Sequence, residues 1–325
     1  MKFGCTMEIV DMHASETSAF LKLSKSYWVE MFKLTSAAGF RSIELPYNPA
    51  NSSGLTRSGM PISNYVTKAR YGSAKSLLKL LNDVGIEEVT GVHISANDIM
   101  TEIISSGQKP DELFYMLEHW AKEAVTFVSE LKGQSLIISP TPEIGLLEKY
   151  VTEKKKGWET KFLDKAAAAI NRIGKMSAKK GVKTCVKNEF WSLVRGKEFD
   201  KLYKNLDQKL VAYSPDLAHL KIAGADPVNL IKKYAGNLGY IRFSDTSFED
   251  KENNYKNIWA EYPVKGAQRV FLNMGEGSIN LPGVYRELQK SGYDGWVICD
   301  SKKTVNIPRA LLYMRWYLDN VILKS

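Results

Sequence analysis

The stretch KTCVKNEFWSL, Lys183 to Leu193, follows Lys179, Lys180 and Gly181, a helix-ending run, and reads as a strand that delivers a carboxylate. Val182, Thr184 and Val186 share one phase of a period-2 alternation and suit an outer, helix-covered face. Lys183, Cys185, Lys187 and Glu189 share the other phase. If the sheet closes on itself, this second set points into a barrel and Glu189 stands at the strand's carboxyl end, where parallel barrels do their chemistry.

Three later stretches end the same way. In LVAYSPD, Leu210 to Asp216, the acid is in phase with the small inward residues Ala212 and Ser214. In LGYIRFSD, Leu238 to Asp245, Ile241 and Phe243 face outward, so Tyr240, Arg242 and Ser244 face inward. In WVICD, Trp296 to Asp300, Val297 and Cys299 face outward and Asp300 inward. Four strand ends therefore offer Glu189, Asp216, Arg242 and Asp300 to one space.

The rest of the chain alternates strand and helix. Strands are predicted at Phe3 to Ile9, Arg41 to Leu45 with Glu44 inward, Glu88 to Ser95 with His93 in phase with Gly91 and Ser95, and Ser135 to Ser139. Helices are predicted at Trp28 to Ala38, Tyr65 to Val84, from Pro110 onward with apolar spacing through Val125, Phe162 to Ala178, Phe199 to Leu206, Pro227 to Tyr234, Leu281 to Lys290 and Pro308 to Val321. Eight strands each followed by a helix make an α/β fold, a single (β/α)8 TIM barrel over residues 1–325. Two long loops, Asn48 to Asn64 after strand 2 and Thr246 to Asn273 after strand 7, fall on the carboxyl face. The second holds Tyr255, Trp259 and Tyr262, which read either as a substrate wall or as packing of the loop onto the barrel.

A formal charge of +9 is spread along helices, and its densest run is Lys154 to Lys156. No basic stripe interleaved with aromatics is present, so nucleic acid is not the expected partner; a basic rim would steer anionic substrates. No stretch approaches ~20 apolar residues, so no membrane span is expected. The start MKFGCTMEIV has no signal-peptide h-region, and Cys5, Cys185 and Cys299 lie far apart without CxxC spacing, as reduced thiols of a cytoplasmic protein do. No Gly-rich phosphate cradle of the GxGxxG or P-loop type is present.

The run SPDLAHLKIAGADPVNLIKKYAGNLGYIRFSD, Ser214 to Asp245, and the later MGEGSINLPGVYRELQKSGYDGW, Met274 to Trp296, resemble the xylose-isomerase-like barrels of the sugar phosphate isomerase/epimerase superfamily. Asp-x-x-His, Gly-x-Asp-Pro and Gly-Glu-Gly occur in that family's order, and the match covers essentially the whole chain. NEFWSL and RWYLDN look closest to proteins grouped with inosose dehydratases, ketose epimerases and the catalytic subunit of C-glycoside deglycosidases.

This resemblance implies a divalent metal, manganese or magnesium, held by a glutamate after strand 5, an aspartate after strand 6, a histidine in strand 7 and a glutamate after strand 8. Glu189 and Asp216 match the first two. Strand 7 carries Arg242 in place of the histidine, and strand 8 ends in Asp300. Aspartate remains a hard-cation ligand, which leaves Glu189, Asp216 and Asp300 as the expected metal set. Guanidinium stays charged and has no lone pair to donate; an Arg242 forked onto Glu189 or Asp216 would replace the ion as the partner of the carboxylates.

The function these residues predict is proton transfer beside the carbonyl of a sugar, keto-sugar or glycoside: isomerisation, epimerisation or elimination. Glu189 and Asp300 serve as base and acid, with the metal or Arg242 as electrophile. His219, three residues after Asp216, His93, Glu44, Trp191 and Trp259 are read as substrate contacts, with His219 also in a catalytic role. Lys187 reads as a buried ion-pair partner or as an imine-forming amine. Two further readings stand beside the first: a metal-free homologue acting as a binding or partner subunit, and a Schiff-base aldolase using Lys187. A homo-oligomer or a small partner subunit is compatible with either enzyme reading.

Overall fold

The computed structural model describes residues 1–10, 22–49, 62–151, 156–261 and 270–325. The strands are β1 (Lys2–Thr6), β2 (Ser42–Pro46), β3 (Glu88–Ser95), β4 (Ser135–Ser139), β5 (Lys183–Lys187), β6 (Val211–Ser214), β7 (Tyr240–Phe243) and β8 (Trp296–Cys299). They pair in parallel in the order β6-β5-β4-β3-β2-β1-β8-β7. Two isolated parallel bridges, Tyr213 with Leu238 and Asp216 with Arg242, join β6 to β7 and close the barrel. The predicted TIM barrel is therefore present.

The helices are α1 (Lys25–Ala37), α2 (Asn64–Tyr71), α3 (Ala74–Asp83), α4 (Ala96–Ser105), α5 (Leu113–Glu130), α6 (Ile144–Tyr150), α7 (Trp158–Ala178), α8 (Phe199–Tyr203), α9 (Leu217–Ile222), α10 (Pro227–Tyr234), α11 (Leu281–Lys290) and α12 (Ile307–Tyr317). None is long and apolar enough to cross a membrane. The single helix expected over Tyr65 to Val84 is two. Gly72 takes a left-handed φ of 86°, which glycine adopts without strain, and the Ser73 hydroxyl then accepts the Ser76 N–H at 3.1 Å to restart the chain as α3. Strand 1 is shorter than expected, because Thr6 caps a 3-10 turn over Met7–Ile9.

The apolar alternation sorts the side chains into two cores. Residues such as Val92, Ile94, Val186, Ile241, Val297 and Cys299 face the helices. Ile137, Cys185, Ala212, Tyr240, Trp296 and Ile298 form a separate plug inside the barrel. A register shift between Ile43 and Glu44 sets Glu44 opposite Gly91 and leaves Thr90 unmatched, and the Thr90 hydroxyl meets the Tyr240 hydroxyl at 2.5 Å. The plug closes the lower barrel, so polar groups gather over it at the carboxyl ends.

Asp245 ties down the long loop after β7. Its carboxylate accepts the backbone N–H groups of Thr246, Gly275, Gly277 and Ile279 at 2.8 to 3.2 Å. This explains the Gly-Glu-Gly motif: a Cβ at Gly277 would lie 2.2 Å from Asp245 Oδ1 and 2.6 Å from the Thr246 nitrogen. Gly277→Ala is expected to destabilise by about 1–3 kcal/mol, the usual cost of overpacking a closed site. A urea midpoint shift at unchanged slope would report it, and an unshifted midpoint would show that the loop gives way freely.

Candidate active site

Lys187 and Glu189 carry the inward phase of β5 past its end, and both are buried. Asn188 between them faces the other way. Its carbonyl oxygen accepts the Tyr213 hydroxyl at 3.0 Å and the Asp216 N–H at 2.9 Å, while its amide donates to the Asp216 carbonyl at 3.3 Å. This one side chain splices β5 to the end of β6 and sets where Asp216 stands. Ser244, inward after β7, donates to Asp216 Oδ1 at 2.6 Å.

Arg242 spans the barrel. Its guanidinium forks onto Glu8 and Glu44, with Nη1 also 3.3 Å from Asp300 Oδ2 and Nε 4.0 Å from Asp216 Oδ2. The expected fork onto Glu189 or Asp216 is thus corrected. The long side chain reaches across to the ends of β1 and β2, and two lysines engage the nearer acids. Lys187 Nζ lies 3.5 Å from Glu189 Oε1 and 3.6 Å from Asp216 Oδ2; Lys302 Nζ lies 2.9 Å from Asp216 Oδ2 and 2.5 Å from Asp300 Oδ2.

Five carboxylates, Glu8, Glu44, Glu189, Asp216 and Asp300, thus meet three cations, Lys187, Arg242 and Lys302, in a buried cluster. Burial opposes ionisation of Asp216, but the ammonium of Lys302, first among the cations around it, holds its carboxyl far below the usual range. Burial also works against Glu8, and Arg242 and His93 outweigh it, so Glu8 is held low as well. The two excess acids go the other way: burial raises the carboxyls of Glu44 and Glu189 despite the opposing pull of Arg242 and Lys187 respectively. Burial disfavours charge on Arg242 and Lys302, yet the carboxylates around them raise both above their ordinary values.

Burial disfavours the charged form of His93 and His219. Burial pushes His93 down to about 4 against the pull of Glu8, and burial lowers His219 well below its usual value. His93 Nδ1 contacts Glu8, and an ionised acid there requires the proton on Nδ1, so Nε2 accepts the Ser139 hydroxyl at 2.8 Å. The Phe190 N–H donates to His219 Nδ1 at 3.2 Å, which places the His219 proton on Nε2, 3.8 Å from Asp216 Oδ2. Trp191 packs edge-on against His219, with ring centroids 4.6 Å apart.

The cavity over this cluster has a volume of about 560 Å³ including its open mouth. Glu8, His93, Lys187, Glu189, Trp191 and His219 line it, joined by Asn97 and Asp98 from α4 and by Lys302. Glu261 and Lys303, a 3.6 Å ion pair, form part of its rim. The sequence-predicted strand ends do converge, at two depths. Glu189 faces the cavity, whereas Asp216, Arg242 and Asp300 lie in the fully buried layer beneath it.

Glu44, expected as a substrate contact, is also in the lower layer, bound by Arg242 and by the Thr6 hydroxyl at 2.9 Å. Trp259 lies outside the cavity, in a neighbouring groove that shares Asn97 and Asp98 with it; its backbone N–H donates to both Glu143 carboxylate oxygens at 3.2 Å. Tyr255 packs under the Arg195 guanidinium, 3.3 Å from its ring centre, which is the loop-packing alternative. Tyr262 and most of the Asn48 to Asn64 loop lie outside the described residues.

Sequence reasoning missed Glu8 and Lys302. A signal was present: Gly4, Thr6 and Glu8 continue one alternation, as do Ile298, Asp300 and Lys302, but Glu8 sits two positions past the end of β1 and Lys302 three past the end of β8.

The donor set does not fit the divalent ion that the resemblance implies on Glu189, Asp216 and Asp300. Lys302 lies within ion-pair distance of Asp216 and Asp300, and Lys187 of Glu189 and Asp216, so positive charge already stands among these carboxylates, although Glu189 Oε2, Asp216 Oδ2 and Asp300 Oδ1 have no hydrogen-bond partner among the described residues. Like unit charges ~4 Å apart repel by about 4 kcal/mol at an effective dielectric of 20, and a divalent ion doubles this. Among the described residues no group of three or more acids, histidines or cysteines is arranged to hold a metal.

A closed parallel barrel with its charged cluster at the carboxyl ends of the strands defines the class of this protein. The chain belongs to the xylose isomerase-like TIM barrel family, whose model matches residues 32–315. An inosose dehydratase of Clostridium botulinum is 27% identical over 172 residues, 52% of this chain and 57% of that protein. One from Bacillus licheniformis is 23% identical over 215 residues, 64% of this chain and 71% of its own length. The chain thus spans little more than half the length of the first of these relatives. Among solved structures, a probable 3-DHS dehydratase from Bacillus anthracis superposes with a TM-score of 0.67 at 14% identity, covering 99% of this chain and all of that one. An L-ribulose 3-epimerase does so at 0.64 and 14%, covering 99% and 94%; at these identities the likeness is one of fold.

Proposed function

We propose that this barrel is a carbohydrate-directed enzyme that moves a proton on the carbon beside a carbonyl, in an epimerisation, isomerisation or dehydration. The observation that carries the reading is Glu189. It is buried at a strand's carboxyl end, lines the cavity, and its Oε2 has no hydrogen-bond partner among the described residues. An unpartnered carboxylate oxygen on a residue that lines the cavity is placed to take a proton from a bound substrate. The family membership and the inosose dehydratase relatives point to the same substrate class.

In this reading Glu189 takes the proton from carbon, and negative charge grows on the carbonyl oxygen beside the ammonium groups of the cavity. The neutral His219 Nε2–H is a donor for a substrate hydroxyl, held in that tautomer by Phe190. Return of a proton to the opposite face of the same carbon completes epimerisation. Return to the old carbonyl carbon, while the neighbouring hydroxyl passes its proton to the old carbonyl oxygen, completes isomerisation. Loss of a β-hydroxyl as water, protonated by the carboxylic acid that Glu189 has become, completes dehydration. Lys187, expected either as an ion-pair partner or as an imine-forming amine, sits between two carboxylates, the geometry of a charge partner.

The test is incubation in D2O with an inosose and with ketoses including L-ribulose, followed by NMR. Deuterium is expected at the carbon next to the carbonyl of at least one of them, and no exchange on any would remove the proposal. The pH profile carries a sign. Glu189 works deprotonated and its carboxyl is raised, so kcat/KM is expected to fall on acidification at a pH above the ordinary glutamate value of about 4.3. An acid limb at or below that value would assign the base to another group.

A further inference from the structure

We infer that the Lys302 ammonium is this site's resident cation, standing where the family resemblance places a divalent ion and offered by Asp216 and Asp300 to a substrate oxygen. Lys302 Nζ lies 2.9 Å from Asp216 Oδ2 and 2.5 Å from Asp300 Oδ2, and its side chain lines the cavity beside Glu189. An ammonium has three donors. Asp300 takes one of them in a hydrogen bond, and Asp216 is held by charge contact without a hydrogen bond to its Oδ2, so the ammonium keeps donors for the cavity.

Lys187 stands one step away, donating to Glu189 at 3.5 Å and in ionic contact with Asp216 at 3.6 Å. Asp216 Oδ2 is common to both lysines and sets the two ammonium groups side by side. Two adjacent donors next to a base suit the carbonyl and the neighbouring hydroxyl of an α-hydroxy ketone, the oxygen pair that a chelating ion would otherwise bind. Arg242 below them pairs with Glu8 and Glu44, and the two lysines line the cavity. The inference rests on the proton-transfer reading for its substrate and on the geometry alone for its cation.

The experiment is calorimetric titration of chelator-washed protein with manganese chloride, for the parent and for Lys302→Ala. The parent is expected to show no binding tighter than about 1 mM, and the variant, freed of the ammonium, to bind one manganese at least about tenfold more tightly. A parent that binds one equivalent tightly overturns the inference, as does a folded Lys302→Ala that takes up none. If Lys302→Ala does not fold, the parent titration and the response of its melting temperature to manganese still decide: an upward shift overturns the inference, and an unchanged one supports it. No substrate enters these readouts, so their failure leaves the exchange experiment in D2O standing, and the converse also holds.

Discussion

Arg242→Met is expected to destabilise the fold by about 3–5 kcal/mol at neutral pH, the range seen when one partner of a buried charge cluster is removed. The guanidinium is buried and bound by Glu8, Glu44 and Asp300, and methionine fills much of the volume without supplying charge or donors. Glu8 and Glu44 would then face each other without the guanidinium, while Asp300 keeps Lys302. Those that remain ionised repel, and those that protonate shift proton uptake into the neutral range.

The pH dependence of this loss has a definite sign. In the parent, Glu8 and Asp216 are held below their ordinary values. The stability they contribute is present above the unfolded carboxylate range and is lost as the pH falls through the depressed folded values. In the variant the acids protonate more readily, so acidification costs it less. The gap in urea midpoint between parent and variant is therefore expected to be widest near pH 7 and to narrow toward pH 5. Equal midpoints at pH 7 would mean that the cluster is solvated and that Arg242 is not its counter-charge.

Glu189→Gln is expected to lower turnover by about 10² to 10⁴, the usual worth of a positioned general base, with the fold retained. Glutamine keeps the shape of the side chain and an oxygen for Lys187, but its amide cannot accept the proton. Unchanged near-ultraviolet circular dichroism alongside the lost rate would separate chemistry from folding. Full turnover in this variant would move the base to His93, which is neutral, lines the same cavity and is oriented by Glu8 and Ser139.

Much of the barrel was legible in the chain. Strand alternation is a local property, set by the pleat, and it assigned Glu189, Asp216, Arg242 and Asp300 to the interior without reference to any other strand. Strong punctuation also bounded α10 and α11, where a capping Asp226 or Asn280 precedes a proline in the first turn. The break between α2 and α3 was signalled by Gly72 and Ser73, yet the continuing apolar period masked it.

Alternation says which side of the sheet a residue faces, and it does not say how far a side chain reaches or whom it meets. Arg242 passes the acid beside it and pairs with Glu8 and Glu44, both far away in sequence, while Lys187 and Lys302 close on Asp216. Glu8 enters through a 3-10 turn and Lys302 through the segment after β8, where no strand period applies. By itself, then, the sequence determined the barrel and the inward acids, because backbone geometry repeats along each strand. Only the tertiary structure decided which cation meets which acid and which acid lines the cavity, because long charged side chains choose partners by distance and burial across strands that the sequence does not place side by side.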